Sequence, residues 1–294
     1  MLYELEVLLG GVWFQFRQIA PYWAAGLAAG SLVSVYLSER IAGKMVALSN
    51  GRLWFFPVCA ASVLGIASPL CMYGTVPVIA ALGKKGVQQH LLAAFMISSV
   101  LLNPNLFIVT FALGADLAVV RLLCCLLCGI VAGVLVRLFY RDKKLFSFER
   151  FETTEEKRKK AFLPDLFKAF RITLPYLLIG IVLTALCDRY IPPEWVAGLF
   201  GQRRGLGVLF ATALSIPLYA CGGGVIPLIS AWMRSGMGAG DALAFMLAGP
   251  ATKIVNLSAV KMILGIKNYC IYLAFCLVFA ILAGLCAGLV SKGL

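Results

Sequence analysis

Polar positions are scarce along this chain and come in bursts, so the apolar runs between them define its elements. Runs near residues 19–37, 88–112, 117–139, 171–188, 240–263 and 268–290 are each long enough, at about 20 residues, to cross the hydrocarbon of a bilayer as a helix. Two further apolar regions, 53–83 and 205–234, are interrupted near their middles, by Ser68-Pro69 through Gly74 and by Pro217 through Gly224. Each interruption leaves pieces of about 10–15 residues, a length that suits re-entrant half-helices better than full spans. The pattern predicts an all-α integral membrane protein.

The pattern also occurs twice. Phe16-Arg17 followed by Pro21-Tyr22 returns as Phe170-Arg171 followed by Pro175-Tyr176, and Cys71, Gly74 and Pro77 return 150 residues later as Cys221, Gly224 and Pro227. Gly86 and Ala94-Phe95 recur at the same offset as Gly236 and Ala244-Phe245. The chain is therefore expected to hold a first transmembrane repeat over 1–139, a basic cytoplasmic linker over 140–170 and a second repeat over 171–294. Helix-breaking clusters at matched points of two apolar halves are how secondary transporters build a solute site near the bilayer midplane. If each interrupted region crosses once, the halves have four spans and run parallel. If each is a hairpin returning to its own side, the halves have three spans and are inverted. The distribution of Lys and Arg between the two sides favours the inverted arrangement.

Composition narrows the class further. With 62% hydrophobic and 13% charged residues, a water-facing polar surface cannot be built, and a multi-pass location in the plasma membrane is expected. The net charge of +13 does not point to nucleic acid, because eleven of the 26 Lys and Arg lie between Arg137 and Arg171, a single loop that also carries Asp142, Glu149, Glu152, Glu155, Glu156 and Asp165. Such a loop marks the cytoplasmic side and lies near anionic headgroups. Glu4 and Glu6 stand where a secretory signal would be basic, so the first apolar stretch reads as a retained interfacial helix. Of ten cysteines, seven sit in or beside apolar runs as packing groups, and His90 is the only histidine. No metal or other cofactor is expected.

The chemistry expected at the breaks follows from backbone physics. The amides of Gly222, Gly223 and Gly224 can approach a ligand closely, and a helix starting near Pro227 would aim its positive end at the same place. The first half offers Gly74, with Pro77 in the first turn of the following helix. Ser98-Ser99, Asn103-Pro104 and Asn105 interrupt one later span, and Gly249-Pro250-Ala251-Thr252-Lys253 interrupts its counterpart, with Asn103 and Lys253 at equivalent positions. Lys253 reads as the one charged side chain well inside an apolar segment, a functional candidate because an unpaired cation in a bilayer costs several kcal/mol. The expected site is midplane and shared: Cys71, Cys221 and the glycine amides, closed by Asn103, Thr252 and Lys253, with Pro250 at the second break. An enzyme is not expected, because no Asp or Glu falls inside a span and no nucleotide-binding glycine motif is present.

Ser68-Pro69-Leu70-Cys71 with Val76-Pro77, Ile216-Pro217-Leu218-Tyr219-Ala220-Cys221 through Ile226-Pro227, and Ala248-Gly249-Pro250-Ala251-Thr252 give the chain a resemblance, over nearly its whole length, to the permease family that includes ArsP-type organoarsenical efflux proteins and YraQ-like membrane proteins. The resemblance implies an integral plasma-membrane permease working on a small-molecule solute. In some members the solute is a trivalent organoarsenical, exported through cysteine thiols that map here to Cys71 and Cys221. Two positions depart from the family pattern: Cys71-Met72-Tyr73 stands where many relatives have Cys-Ser-Cys, and Lys253 where relatives usually have asparagine. A lysine beside glycine amides suits an anionic solute, so a small-anion permease or channel is one alternative and a thiol-based sulfur carrier another.

Overall fold

The computed structural model describes residues 55–68, 86–140, 206–219, 225–252 and 254–290 continuously, with scattered positions elsewhere, among them Thr75, residues 78–80, Leu145 and Phe146. Among the described residues the secondary structure is helical throughout: α1 (Phe55–Ala67), α2 (Gln89–Leu101), α3 (Pro104–Thr110), a 3-10 turn (Phe111–Leu113), α4 (Ala115–Phe139), α5 (Leu206–Leu218), α6 (Ile226–Arg234), α7 (Ala239–Thr252) and α8 (Ile254–Val290). Among the described residues, three stretches are long and apolar enough to cross a membrane: Gln89–Leu113, Ala115–Phe139 and Ile263–Leu289.

Burial separates inner helices from outer ones. The Gln89–Leu113 stretch is 72% buried, against 33% for Ala115–Phe139 and 22% for Ile263–Leu289. A helix apolar on all sides and buried on all sides is a central one, and α2 and α7 are both of this kind, with His90 to Leu101 and Ala242 to Thr252 buried without a gap. The exposed large side chains of α4 and α8, Leu123, Leu127, Val278 and Leu282 among them, are what lipid-facing surfaces require.

The two central helices begin 150 residues apart on the same local device. Gly86 and Gly236 have φ of 84° and 108°, the left-handed region that glycine enters without a Cβ penalty. In each case the next amide reaches back five residues, Val87 N–H to Leu82 O at 3.1 Å and Met237 N–H to Trp232 O at 2.9 Å. Both are Schellman turns, which close a helix and reverse the chain. Asp241 then accepts from Gly238 N–H at 3.2 Å, covering a free amide at the start of α7.

Small residues set how the helices cross. A Cβ on Gly129 would lie 2.5 Å from Ser62 Oγ and 2.9 Å from Ser98 Cβ, and one on Gly133 would lie 2.6 Å from Val58 Cγ1 and 3.1 Å from the His90 carbonyl. Early residues of α1 therefore meet early residues of α2, and late meet late. The two helices run side by side in the same direction, with α4 running back across them. In the other half, a Cβ on Gly207 would touch the Asp241 carboxylate at 2.9 Å, and one on Gly249 would strike the Tyr219 ring. Thus α5 and α7 also share a direction. Gly240 meets the backbone of Gly284 and Gly288, late in α8, and both α4 and α8 carry two glycines four residues apart at these crossings, the small-xxx-small arrangement that lets backbones approach in lipid.

A break divides α8 at Gly265 (φ 70°, ψ 168°). Just beyond it Asn268 ties distant parts of the chain together: its Oδ1 accepts from Tyr140 Oη at 3.0 Å and its Nδ2 donates to the Leu145 carbonyl at 3.0 Å. Leu145 N–H in turn donates to Gln89 Oε1 at 2.5 Å. The start of α2, the end of α4 and the start of the second stretch of α8 therefore lie together.

Candidate solute site between the helix breaks

Three buried hydroxyls mark the first break. Ser68, just past the end of α1, lies 3.2 Å from Ser99 Oγ, and Thr75 Oγ1 lies 3.0 Å from the same atom. Six intervening residues could reach about 20 Å if extended, yet both ends of the segment come within hydrogen-bond reach of one oxygen. Exposure of Ser68, Thr75 and Ser99 is 1%, 0% and 1%, so in an apolar interior these hydroxyls are satisfied by one another. At the second break the described chain resumes at Val225, the N-cap of α6, with Pro227 buried in the first turn, where its missing N–H costs nothing. Trp232 of α6 packs edge-on against Phe245 of α7 with ring centroids 5.9 Å apart, which seats this helix against the core.

The later interruptions take a different form from the one the sequence suggests. Ser98-Ser99 does not break α2, which continues to Leu101. Ser98 Oγ folds back onto the Ala94 carbonyl at 2.8 Å, the usual accommodation of a hydroxyl in an apolar helix. The break comes at Leu102 and Asn103, both extended (φ −146° and −132°), because proline disfavours helical geometry in the residue before it. Asn103 caps α3: its Oδ1 accepts from Leu106 N–H at 2.9 Å, with Pro104 in the first turn. Pro250, expected at a break, lies inside α7, which runs on to Thr252. Thr252 Oγ1 donates to the Ala248 carbonyl at 2.9 Å, and Tyr272 Oη donates to the Ala251 carbonyl at 3.5 Å.

Of the expected site residues, Asn103, Pro227, Pro250 and Thr252 are in the described structure. Asn103 and Thr252 terminate or follow the two central helices, α2 and α7, which pack against each other. Cys71, Gly74, Pro77, Cys221, Gly222, Gly223, Gly224 and Lys253 lie outside the described residues.

Lys253 is not alone as a charge in an apolar segment. Arg121, in the second turn of α4, is 0% exposed and heads the largest fully buried side chains. Its Nη1 donates to Thr110 Oγ1 at 2.6 Å and lies 3.6 Å from Met246 Sδ, while Nη2 donates to the Met246 carbonyl at 3.3 Å. Among the described residues no carboxylate pairs with it and Nε has no hydrogen-bond partner. In sequence it stands near the start of the apolar run 117–139, where a long cation commonly reaches the interface. Pro250, four residues after Met246, was the available signal, because it marks a carbonyl in need of a donor. Among the described residues no group of three or more His, Cys, Asp or Glu is arranged to hold a metal.

A family model described as a predicted permease, of the ArsP type, matches residues 15–289. The chain is 26% identical over 164 residues to UPF0718 protein MJ0584 of Methanocaldococcus jannaschii, a match covering 56% of this chain but only 41% of that relative. It is 24% identical over 274 residues to UPF0718 protein YcgR of Bacillus subtilis, covering 90% of each. A Streptococcus mutans protein that carries the provisional name of a two-component membrane permease complex subunit is 23% identical over 257 residues, covering 82% of this chain and 81% of the relative. No solved structure matches the chain significantly.

Proposed function

This chain belongs to the ArsP-type family of predicted permeases, and from that premise we propose that it is a secondary transporter moving a small solute across the cytoplasmic membrane by alternating access between two inverted halves, 1–139 and 171–294, joined by the basic linker 140–170. Helix direction carries this reading. The first interrupted region enters alongside α2 and in the same direction, the two ends of its break, Ser68 and Thr75, meet at Ser99, and a Schellman turn at Gly86 leads back into the start of α2. These three features support a hairpin path for the region. The second region likewise enters alongside α7 in the same direction, through Gly207 and Tyr219, with a Schellman turn at Gly236 leading into α7. The bond between Tyr140, at the end of α4, and Asn268, at the start of the second stretch of α8, supports opposite directions for these two helices and hence hairpins entering from opposite faces.

Two hairpin tips facing each other across α2 and α7 would enclose a small volume near the midplane, exposed to one side or the other as one half rocks against its neighbour. In sequence, Cys71 and Gly74 lie between the two ends of the first break and Cys221, Gly222, Gly223 and Gly224 within the second, so this reading assigns the thiols and glycine amides to those tips. Thr252 and Lys253 follow at the end of α7. Thiols are the soft ligands that a trivalent organoarsenical requires, so such a compound is the first solute to test. In cells exposed to a trivalent methylated arsenical, the intact protein should lower accumulation, and Cys71→Ser or Cys221→Ser should abolish that protection. No protection by an intact protein with verified membrane expression would remove the arsenical.

One observation favours a second reading, a small-anion permease. Arg121 contributes a buried positive charge with no carboxylate partner among the described residues, and a second cation, Lys253, follows Thr252 in the sequence. Saturable uptake of a small anion, lost in Lys253→Asn and kept in both cysteine variants, would select this reading over the first. Conductance without saturation would instead indicate a channel.

A further inference from the structure

Proline has no N–H, so a proline inside a helix leaves the carbonyl four residues earlier without its donor. In α7 that carbonyl belongs to Met246, in the interior of the molecule, where an unmet acceptor is costly. The helix nevertheless stays regular through Pro250 to Thr252. The donor it lacks comes from another helix: Arg121 Nη2, 3.3 Å from the Met246 carbonyl oxygen. The other terminal nitrogen, Nη1, holds Thr110 Oγ1 at 2.6 Å, and Thr110 passes its own proton to the Leu106 carbonyl at 2.5 Å, in the first turn of the helix that Asn103 caps. One guanidinium therefore joins α3, α4 and α7.

We propose that Arg121 is a positioning residue of the transport cycle, a cross-half fastener that takes over the carbonyl released by Pro250 and so fixes the last turn of α7, with Thr252 and the adjoining Lys253, relative to the helix following Asn103. Arginine suits the task because its rigid fork serves two acceptors at once and keeps its charge when buried, and charge-assisted bonds are strong in a medium of low dielectric. Snorkelling does not explain it, since the side chain is 0% exposed. The bond to Met246 O links residues 125 apart in sequence, one in each of the two halves. It must stretch or break when those halves move, which gives Arg121 a hold on the balance between inward-facing and outward-facing states.

The test is a double-mutant cycle on the full-length protein in detergent, read as thermal midpoint, with Arg121→Met, Pro250→Ala and their combination. Alanine at 250 restores an N–H to the Met246 carbonyl, so the loss of several degrees expected from Arg121→Met should shrink to less than about half in the Pro250→Ala background. Equal losses in both backgrounds would overturn the assignment. If Arg121→Met does not fold, the same comparison is made with Arg121→Lys, which keeps charge but not the fork. A second arm rests on the permease reading: Thr252→Cys is labelled in right-side-out and inverted vesicles with an impermeant maleimide, quantified by peptide mass spectrometry. Arg121→Lys should change the ratio of labelling from the two faces at least about threefold, and an unchanged ratio would remove the role in the cycle. Additivity in the first arm refutes the fastener whatever the chain transports. A positive first arm with Thr252→Cys unlabelled from both faces refutes the role in the cycle and the alternating-access reading together, and leaves the fastener standing as a structural contact alone.

Discussion

The crossing of α7 and α8 makes two neighbouring glycines differ sharply in what they tolerate. A Cβ on Gly240 would meet the Gly284 carbonyl oxygen far inside contact distance, Gly288 N at 2.8 Å and Gly288 Cα at 2.9 Å. All three are backbone atoms, against an ordinary carbon contact of about 3.5–4.0 Å, and none can rotate away. The helices must part by roughly 1 Å, which forfeits a quarter to a half of the dispersion energy of each contact along the seam. Overpacking of this kind costs about 1–3 kcal/mol, and the figure should lie in the upper part of that range because only backbone can yield. The gain of up to about 1 kcal/mol in helix propensity is reduced because Gly240 lies in the first turn. Gly288→Ala is the control: its Cβ would meet only Gly240 Cα, at 4.0 Å, an ordinary contact. Thermal unfolding in detergent, followed by tryptophan fluorescence, should place Gly240→Ala roughly 3–8 °C below the native protein and Gly288→Ala within about 2 °C of it. A Gly240→Ala protein of native stability, or two variants equally damaged, would refute the close-crossing account of this interface.

Three further outcomes follow from the described bonds. Asn103→Ala should cost about 0.5–2 kcal/mol through the lost cap on Leu106 N–H, whereas Asn103→Ser should recover most of it; equal losses in chemical denaturation would point to a role other than capping. Gly86→Ala and Gly236→Ala should each cost about 1–2 kcal/mol from the left-handed backbone alone, and a clear difference between them would mean that the two turns are not equivalent. Ser99→Ala removes the shared partner of Ser68 and Thr75 and should cost about 1 kcal/mol, near twice the average interhelical hydrogen bond in a membrane protein, with faster amide exchange in the peptide after Ser68. Unchanged exchange there would show that Ser99 does not hold the break.

Much of this arrangement is legible in the sequence because it depends on local chemistry. Breaks at Ser68 and after Leu218 follow from Pro, Gly and Ser interrupting apolar runs, and the matched starts of α2 and α7 follow from glycines at 86 and 236 that only a left-handed turn requires. The glycine pairs of α4 and α8 have small-xxx-small spacing, but which helices they bring together is a tertiary fact. Asn103 and Pro250 show what the sequence leaves open. A polar residue or a proline in an apolar run can serve a ligand or local structure, and its partners are not visible along the chain: Asn103 Oδ1 accepts from Leu106 N–H, and the carbonyl that Pro250 leaves is met by Arg121. Arg121 itself gains its meaning from a residue 125 positions away. No window along the chain contains both.

The central claim is that the two halves are inverted, with hairpins entering from opposite faces, and side-specific labelling tests it most directly. Gln88 and Arg234 are both exposed, at the turns that lead into α2 and α7. Gln88→Cys and Arg234→Cys proteins are treated with a membrane-impermeant maleimide in right-side-out and inverted vesicles, and the modified peptides are quantified. Labelling of Gln88→Cys only from the cytoplasmic face, the face of the basic linker, and of Arg234→Cys only from the opposite face is the predicted result. Labelling of both from the same face would contradict it and make the halves parallel.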